Sequence, residues 1–147
     1  MPEDEPRVLV SACLLGVRCR YDGNTAEDPT LRQELRGACV VPVCPEQLGG
    51  LPTPRSPSEI TGGDGNDVLK GRAHVLNEAG EDVTAAFVRG AQEALRLAVS
   101  FGCQRAILKS RSPSCGSGQI YRQGKLVPGD GVTAALLKVH GIQVETR

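Results

Sequence analysis

Short, continuous apolar runs recur along the chain, separated by longer segments in which apolar residues return every three or four positions. An apolar run without polar alternation is typical of a strand that is covered on both faces. On this basis we predict five strands, at residues 7–12, 39–43, 72–76, 105–109 and 142–144. Two further short runs on either side of Gln123-Gly124 predict a small hairpin.

Three segments between these runs are predicted to be helices. The first begins with Pro29 after the N-cap residue Asp28, the longest ends at Gly102, and the last covers residues 132–139. A strand, a helix and a strand in that order form a right-handed parallel crossover. We therefore predict an α/β fold in which residues 1–147 form a single domain, Rossmann-like and three-layered, with a mostly parallel sheet.

One long segment, residues 45–71, fits neither pattern. It is rich in Pro, Gly and Ser, with glycine pairs at Gly49-Gly50 and Gly62-Gly63, and we predict no regular element in it. A loop of this length inside a compact domain is usually functional or mobile. We interpret it as a lid or wall of a functional site, with disorder as the alternative.

The balance of charge excludes some classes of partner. The chain has 17 Lys and Arg against 17 Asp and Glu, so no net field attracts a large nucleic acid or an anionic membrane. The first residues lack the basic and apolar regions of a signal peptide, and no stretch approaches the ~20 apolar residues of a membrane span. We therefore expect a cytoplasmic protein that acts on a small molecule. In that reducing compartment, cysteines are metal ligands, catalytic groups or core residues rather than disulfide partners.

Three of the six cysteines come soon after predicted strands. Cys13, Cys44 and Cys115 follow the first, second and fourth strands. Because the carboxyl ends of neighbouring parallel strands lie at one edge of a sheet, we expect these thiols to converge there. Cys39 and Cys103 precede or begin their strands, so we expect them at the opposite edge as small core residues.

The type of ligand narrows the choice of metal. Thiolates favour zinc or an iron–sulfur cluster over hard cations. His74 lies inside a predicted strand and His140 near the end of a helix, so neither is well placed to complete a tetrahedral zinc site. A [4Fe–4S] cluster with three cysteine ligands and one open iron needs no further protein ligand, and that iron can act as a Lewis acid toward a substrate sulfur. Cys19, in the same loop as Cys13, is left open between a ligand, a persulfide carrier and a core residue.

Four sequence segments carry a resemblance to a known family. They are Ser-Ala-Cys-Leu-Leu-Gly at 11–16, Tyr-Asp-Gly-Asn at 21–24, Cys-Pro-Glu-Gln-Leu-Gly-Gly-Leu-Pro-Thr-Pro-Arg at 44–55 and Lys-Ser-Arg-Ser-Pro-Ser-Cys-Gly at 109–116. In this combination the chain resembles the thiouracil desulfurases, small bacterial proteins long classed as a domain of unknown function. The resemblance implies an oxygen-sensitive [4Fe–4S] cluster held by Cys13, Cys44 and Cys115. It also implies a non-redox reaction in which the open iron binds the thiocarbonyl sulfur of a 2-thiopyrimidine and water replaces that sulfur at carbon.

Neighbouring polar residues are candidates for the proton transfers of this reaction. Glu46, two residues after Cys44, is the first choice for general acid–base catalysis, because a partly buried carboxyl can have a raised pKa. Ser112 and Ser114 precede Cys115, and one of their hydroxyl groups is expected to contribute to catalysis. The alternative is that both serines only cap the turn.

The leading interpretation is an iron–sulfur-dependent, non-redox desulfidase that removes sulfur from a thiolated nucleobase such as 2-thiouracil. One alternative is a zinc-thiolate hydrolase or deaminase-type enzyme that uses the same three thiolates and Glu46, although the His-x-Glu signature of zinc deaminases is absent from the sequence. A second alternative is a non-catalytic iron–sulfur carrier or sensor.

Overall fold

A four-stranded parallel sheet lies at the centre of the computed structural model, which describes residues 5–147. In chain order the elements are β1 (Arg7–Ser11), a 3₁₀ helix (Ala12–Leu15), α1 (Pro29–Glu34), β2 (Cys39–Val43), α2 (Pro45–Leu48), β3 (Ser58–Thr61), α3 (Gly65–Leu69), β4 (His74–Asn77), α4 (Thr84–Ser100), β5 (Arg105–Leu108), β6 (Gln119–Arg122), β7 (Lys125–Pro128), α5 (Val132–Val139) and β8 (Gln143–Thr146). The central sheet has the order β2-β1-β5-β8, and every neighbouring pair is parallel. The predicted α/β fold is confirmed. Residues 1–4 of the predicted domain lie outside the described residues.

Helices cover both faces of the central sheet and make three layers. On one face α4 and α5 bury Ala98 and Leu137 against Leu9 of β1. On the other face the 3₁₀ helix and α1 pack around Val8 and Leu31. Because both faces are covered, β1 and β5 are continuous apolar runs in the sequence. Within residues 5–147, no helix combines the length and the hydrophobicity needed to cross a membrane.

The segment at residues 45–71 is not the structureless loop that the sequence predicts. It contains α2, β3 and α3, each only four or five residues long. Pro45 occupies the first turn of α2, and the Asp64 carboxylate accepts the backbone N–H groups of Asn66 and Asp67 to cap α3. Elements this short do not complete enough periods to show in a hydrophobic pattern.

The predicted strand at 72–76 also has a different place from the other strands. It forms β4, which pairs antiparallel with β3 outside the central sheet. The predicted hairpin is present as the antiparallel pair β6 and β7. A third apolar cluster packs these two hairpins against the helices and includes Ile60, Val75, Phe87, Ile120 and Val132.

Two glycines let α2 lie directly against α4. A Cβ atom at Gly90 would stand 1.9 Å from the carbonyl oxygen of Pro45, and one at Gly49 would stand 2.0 Å from that of Ala86. Both contacts are with backbone atoms, which cannot swing aside as a flexible side chain can. Only glycine therefore permits this approach, and the approach fixes the position of α2, which carries Glu46.

We expect Gly90→Ala to lower the free energy of unfolding by about 2 kcal/mol net. Overpacking against backbone belongs at the upper end of the usual range of about 1–3 kcal/mol and outweighs the ~1 kcal/mol that alanine gains in helix propensity. Urea denaturation measures the difference. Gln92→Ala, at an exposed position of the same helix, is the control and should change stability by less than about 0.5 kcal/mol. An equally stable Gly90→Ala protein would contradict the close packing of α2 on α4.

Candidate functional site

Three strand ends bring thiols to one cavity. Cys13 lies in the 3₁₀ helix directly after β1, Cys44 follows β2 as the N-cap residue of α2, and Cys115 lies in the turn after β5. All three line a cavity of about 440 Å³, together with Ser11 and Val43, the last residues of β1 and β2. The structure thus brings together the three cysteines that the sequence predicts to converge.

Cys19 is a fourth, buried thiol in the same cavity. Its side chain is hydrogen-bonded to the thiols of Cys13 and Cys44. The bond with Cys19 lowers the pKa of Cys13 and raises that of Cys19 to about 11. The bond with Cys19, followed by burial, raises the pKa of Cys44. Cys44 is therefore the donor to Cys19 and Cys19 the donor to Cys13, which makes Cys13 the most readily deprotonated of the three.

Hydroxyl groups surround the sulfur of Cys115. Burial raises the pKa of this thiol to about 12. The Ser11 hydroxyl donates to Cys115 Sγ at 3.7 Å, and the thiol donates to Ser114 Oγ at 3.8 Å. Ser11 Oγ also accepts the backbone N–H of Lys109 at 2.9 Å, which ties the end of β1 to the end of β5. A buried thiol with hydroxyl groups beside its sulfur becomes a thiolate readily once a cation compensates its charge.

The two candidate serines have different partners. Ser112 Oγ accepts the backbone N–H of Cys115 at 2.7 Å. Ser114 is buried, and its hydroxyl shares a hydrogen bond of 2.9 Å with Thr133 Oγ1 of α5. Both serines line the cavity. Ser112 therefore shapes the turn that presents Cys115, while Ser114 is fixed between that turn and a helix.

The remaining cysteines and both histidines lie apart from this cavity. Cys39 is the first residue of β2, and Cys103 precedes β5, so both are at the opposite edge of the sheet, where the sequence predicts them. Burial raises the pKa of Cys103, and Cys39 is its charged neighbour. His74 and His140 are exposed. Among residues 5–147, no three His, Cys, Asp or Glu side chains are grouped so as to hold a single metal ion.

An ion pair that the sequence did not predict joins Glu46 to Arg55. Arg55 Nη2 donates to Glu46 Oε2 at 2.6 Å, with side chains only 6% and 21% exposed. The same nitrogen donates to the carbonyl oxygen of Cys19 at 2.8 Å, and the Cys44 thiol lies 3.6 Å from that oxygen. A sequence signal for the pair is the Gly-Gly turn after α2, where Gly50 has a φ of 94° and reverses the chain.

Further basic side chains line the same cavity. Arg20, Lys109 and Arg111 join Arg55 there, while Glu59 is a second carboxylate beside Glu46. Burial, and after it the neighbouring Arg20, lowers the pKa of Lys109. Arg111 has a φ of 70°, a left-handed conformation that is uncommon outside glycine and is found at functional sites. The excess of positive charge favours an electron-rich ligand.

The chain is similar to proteins of a recognised family and to one of solved structure. The sequence profile described as 2-thiouracil desulfurase matches residues 8–147. The uncharacterized protein YbbK of Bacillus subtilis (strain 168) is 48% identical over 140 residues, which cover 93% of this chain and 93% of YbbK. The solved structure of a [4Fe–4S]-dependent thiouracil desulfidase, TudS, is 44% identical with a TM-score of 0.85, and the match covers 97% of this chain and 91% of that one.

We expect Cys19→Ala to raise the pKa of Cys13 in metal-free protein, because Cys19 donates the hydrogen bond that lowers it. Alkylation of Cys13 by iodoacetamide, followed by peptide mass spectrometry at a series of pH values, should then show its midpoint at higher pH. Cys19→Ser retains a donor and is the matched control, with a midpoint near that of the native protein. The same midpoint in Cys19→Ala and native protein would assign the lowered pKa to another group.

Proposed function

The chain belongs to the 2-thiouracil desulfurase family, and from that we propose that it is a [4Fe–4S]-dependent desulfidase that exchanges the sulfur of a thiolated nucleobase, such as 2-thiouracil, for oxygen. The function predicted from the sequence, an iron–sulfur-dependent desulfidase, agrees with the family and with the solved relative TudS. One structural observation carries the proposal: Cys13, Cys44 and Cys115 line a single cavity together with Glu46.

The donor set of this cavity fits an iron–sulfur cluster. Cys13, Cys44 and Cys115 come from three separate strand ends, and soft thiolates are the ligands that such clusters take from proteins. Cys115 is buried, and Ser11 and Ser114 lie beside its sulfur. We assign these three cysteines as the ligands. When bound, the cluster supplies a Lewis-acidic iron with an open position for a soft substrate sulfur.

Glu46 is the residue that we assign to proton transfer. Replacing C=S by C=O requires that a water molecule loses a proton and that a ring nitrogen gains one. Glu46 lines the cavity, two residues after Cys44. Arg55 binds its Oε2 atom, so we assign Oε1 as the oxygen that takes the proton of the water.

Of the two serines, we assign the proton-donating role to Ser112. Its oxygen accepts the N–H of Cys115, so its own proton is left for a ligand in the cavity. Ser114 is engaged with Thr133 and lies next to the sulfur of Cys115, so we assign it to holding that cysteine for catalysis.

The remaining assignments follow from size, charge and redox state. A cavity of about 440 Å³ is in the range of small-molecule sites, roughly 300–1,000 Å³. Equal numbers of acidic and basic residues give no support to a large nucleic acid or a membrane as partner. All six cysteines are free, which supports a reducing compartment, the cytoplasm.

Purification without oxygen is expected to yield a brown protein with four irons and four sulfides per chain, as a [4Fe–4S] cluster requires. Cys13→Ala, Cys44→Ala and Cys115→Ala should each lose this iron, because each removes a ligand. Cys39→Ala and Cys103→Ala are the matched controls at the opposite edge of the sheet and should keep it. A colourless protein with one zinc per chain would instead favour the hydrolase alternative.

Sulfide release from 2-thiouracil tests the enzymatic role. The native protein should form uracil and sulfide, and Glu46→Gln should keep the cluster but lose roughly 10²–10⁴-fold in kcat, the usual contribution of a general acid–base group. Glu93→Gln, on the surface of α4, is the control and should have native activity. Native protein that holds the cluster but releases no sulfide would favour a carrier or sensor.

A further inference from the structure

Arg55 is a buried cation held by four acceptors. Nη2 donates to the carbonyl of Cys19 and to Glu46 Oε2, at 2.8 and 2.6 Å. Nη1 donates to Thr53 Oγ1 and to the carbonyl of Pro52, at 2.8 and 3.1 Å. The planar guanidinium thereby spans two segments of chain, the loop after the 3₁₀ helix and the segment after α2.

This cation links the carboxylate of Glu46 to the surroundings of a proposed cluster ligand. The carbonyl of Cys19 that Arg55 binds is also the acceptor of the Cys44 thiol, at 3.6 Å. The backbone N–H of Arg55 donates to the carbonyl of Tyr21 at 2.8 Å, which holds the same two segments together once more. The position of the Glu46 carboxylate relative to Cys44 therefore depends on Arg55.

Folding alone does not explain why an arginine occupies this position. Its side chain is only 6% exposed, and its Nε–H is buried without an acceptor among residues 5–147. A buried donor without an acceptor is unfavourable for stability, and such groups in native proteins occur where function requires the residue. Arg55 also lines the cavity itself.

We propose that Arg55 is a positioning residue for desulfidation, which fixes the Glu46 carboxylate in the orientation from which it takes the proton of the attacking water. This inference rests on the proposed role of Glu46. A guanidinium can hold Glu46, the Cys19 carbonyl and Thr53 at once because its donors are arranged in a rigid plane. A lysine retains the charge but has a single nitrogen, so it cannot hold all of these acceptors in the same geometry.

The variant Arg55→Lys separates orientation from charge. We expect its kcat per cluster to fall by roughly 10- to 100-fold, since a misplacement of about 1 Å has effects of this size, with unchanged iron content and KM. Arg122→Lys is the matched control, because Arg122 also donates to two backbone carbonyls, those of Ile60 and Gly63, but is not among the residues that line the cavity. Both variants should lower the urea midpoint, and only Arg55→Lys should lower kcat.

A double-mutant cycle tests whether Arg55 acts through Glu46. In a Glu46→Gln background, Arg55→Lys should cause no further loss of kcat, because the carboxylate that it positions is already absent. Thr53→Val is a milder second variant if Arg55→Lys does not fold, since it removes one acceptor of Nη1 and leaves the guanidinium in place. It should lower kcat severalfold in the native background and not at all in Glu46→Gln.

Each outcome bears on a different claim. Native kcat in Arg55→Lys with a low kcat in Glu46→Gln would overturn the positioning role alone, as would losses that add in the double variant. Native kcat in Glu46→Gln would overturn the role of Glu46 and this inference with it. An absence of sulfide release by native protein with an intact cluster would instead overturn the proposed function.

Discussion

Parallel pairing of β2, β1 and β5 is the constraint on which the site depends. The register places Ser11 opposite Val43, so the chain leaves β1 and β2 at the same height and the thiols of Cys13 and Cys44 emerge together. The Ser11 hydroxyl then binds the N–H of Lys109, which fixes the start of the turn that presents Cys115. Because helices cover both faces of the sheet, a slip in register would expose an apolar core, and the three thiols have little freedom to separate.

Burial gives this arrangement its chemical character. The cavity encloses four thiols and a carboxylate, groups whose charged forms burial disfavours. The structure offsets this with hydroxyl groups beside Cys115, with thiol-to-thiol hydrogen bonds that end on Cys13, and with the guanidinium of Arg55 against Glu46. The same features that keep the cavity compact thus suit it to a positively charged metal centre and an electron-rich substrate.

The sequence predicts the parts of the site that depend on local pattern. Apolar runs locate β1, β2 and β5, and the topology rule for parallel sheets then brings Cys13, Cys44 and Cys115 to one edge. The hydrogen bonds of Cys19 depend on how the loop after β1 folds back, which no periodicity records. Arg55 likewise reaches Glu46 only through the turn after α2, within the segment that was wrongly predicted to be structureless.

The error at residues 45–71 has a physical cause. Its helices and strand contain four or five residues and are stabilised by a proline, a capping box and a pairing partner in β4. Such elements depend on contacts with other parts of the chain rather than on their own hydrophobic face. The predicted role of this segment as a wall of the site agrees with the geometry, since Glu46 and Arg55 both line the cavity.

The most direct test of the account is an anomalous-diffraction map, recorded at the iron edge from crystals grown without oxygen. The account predicts four iron peaks in the cavity, with three irons bonded to the sulfurs of Cys13, Cys44 and Cys115 and the fourth without a cysteine ligand. A fourth bond from Cys19, a single metal peak, or iron bound away from these three sulfurs would contradict it.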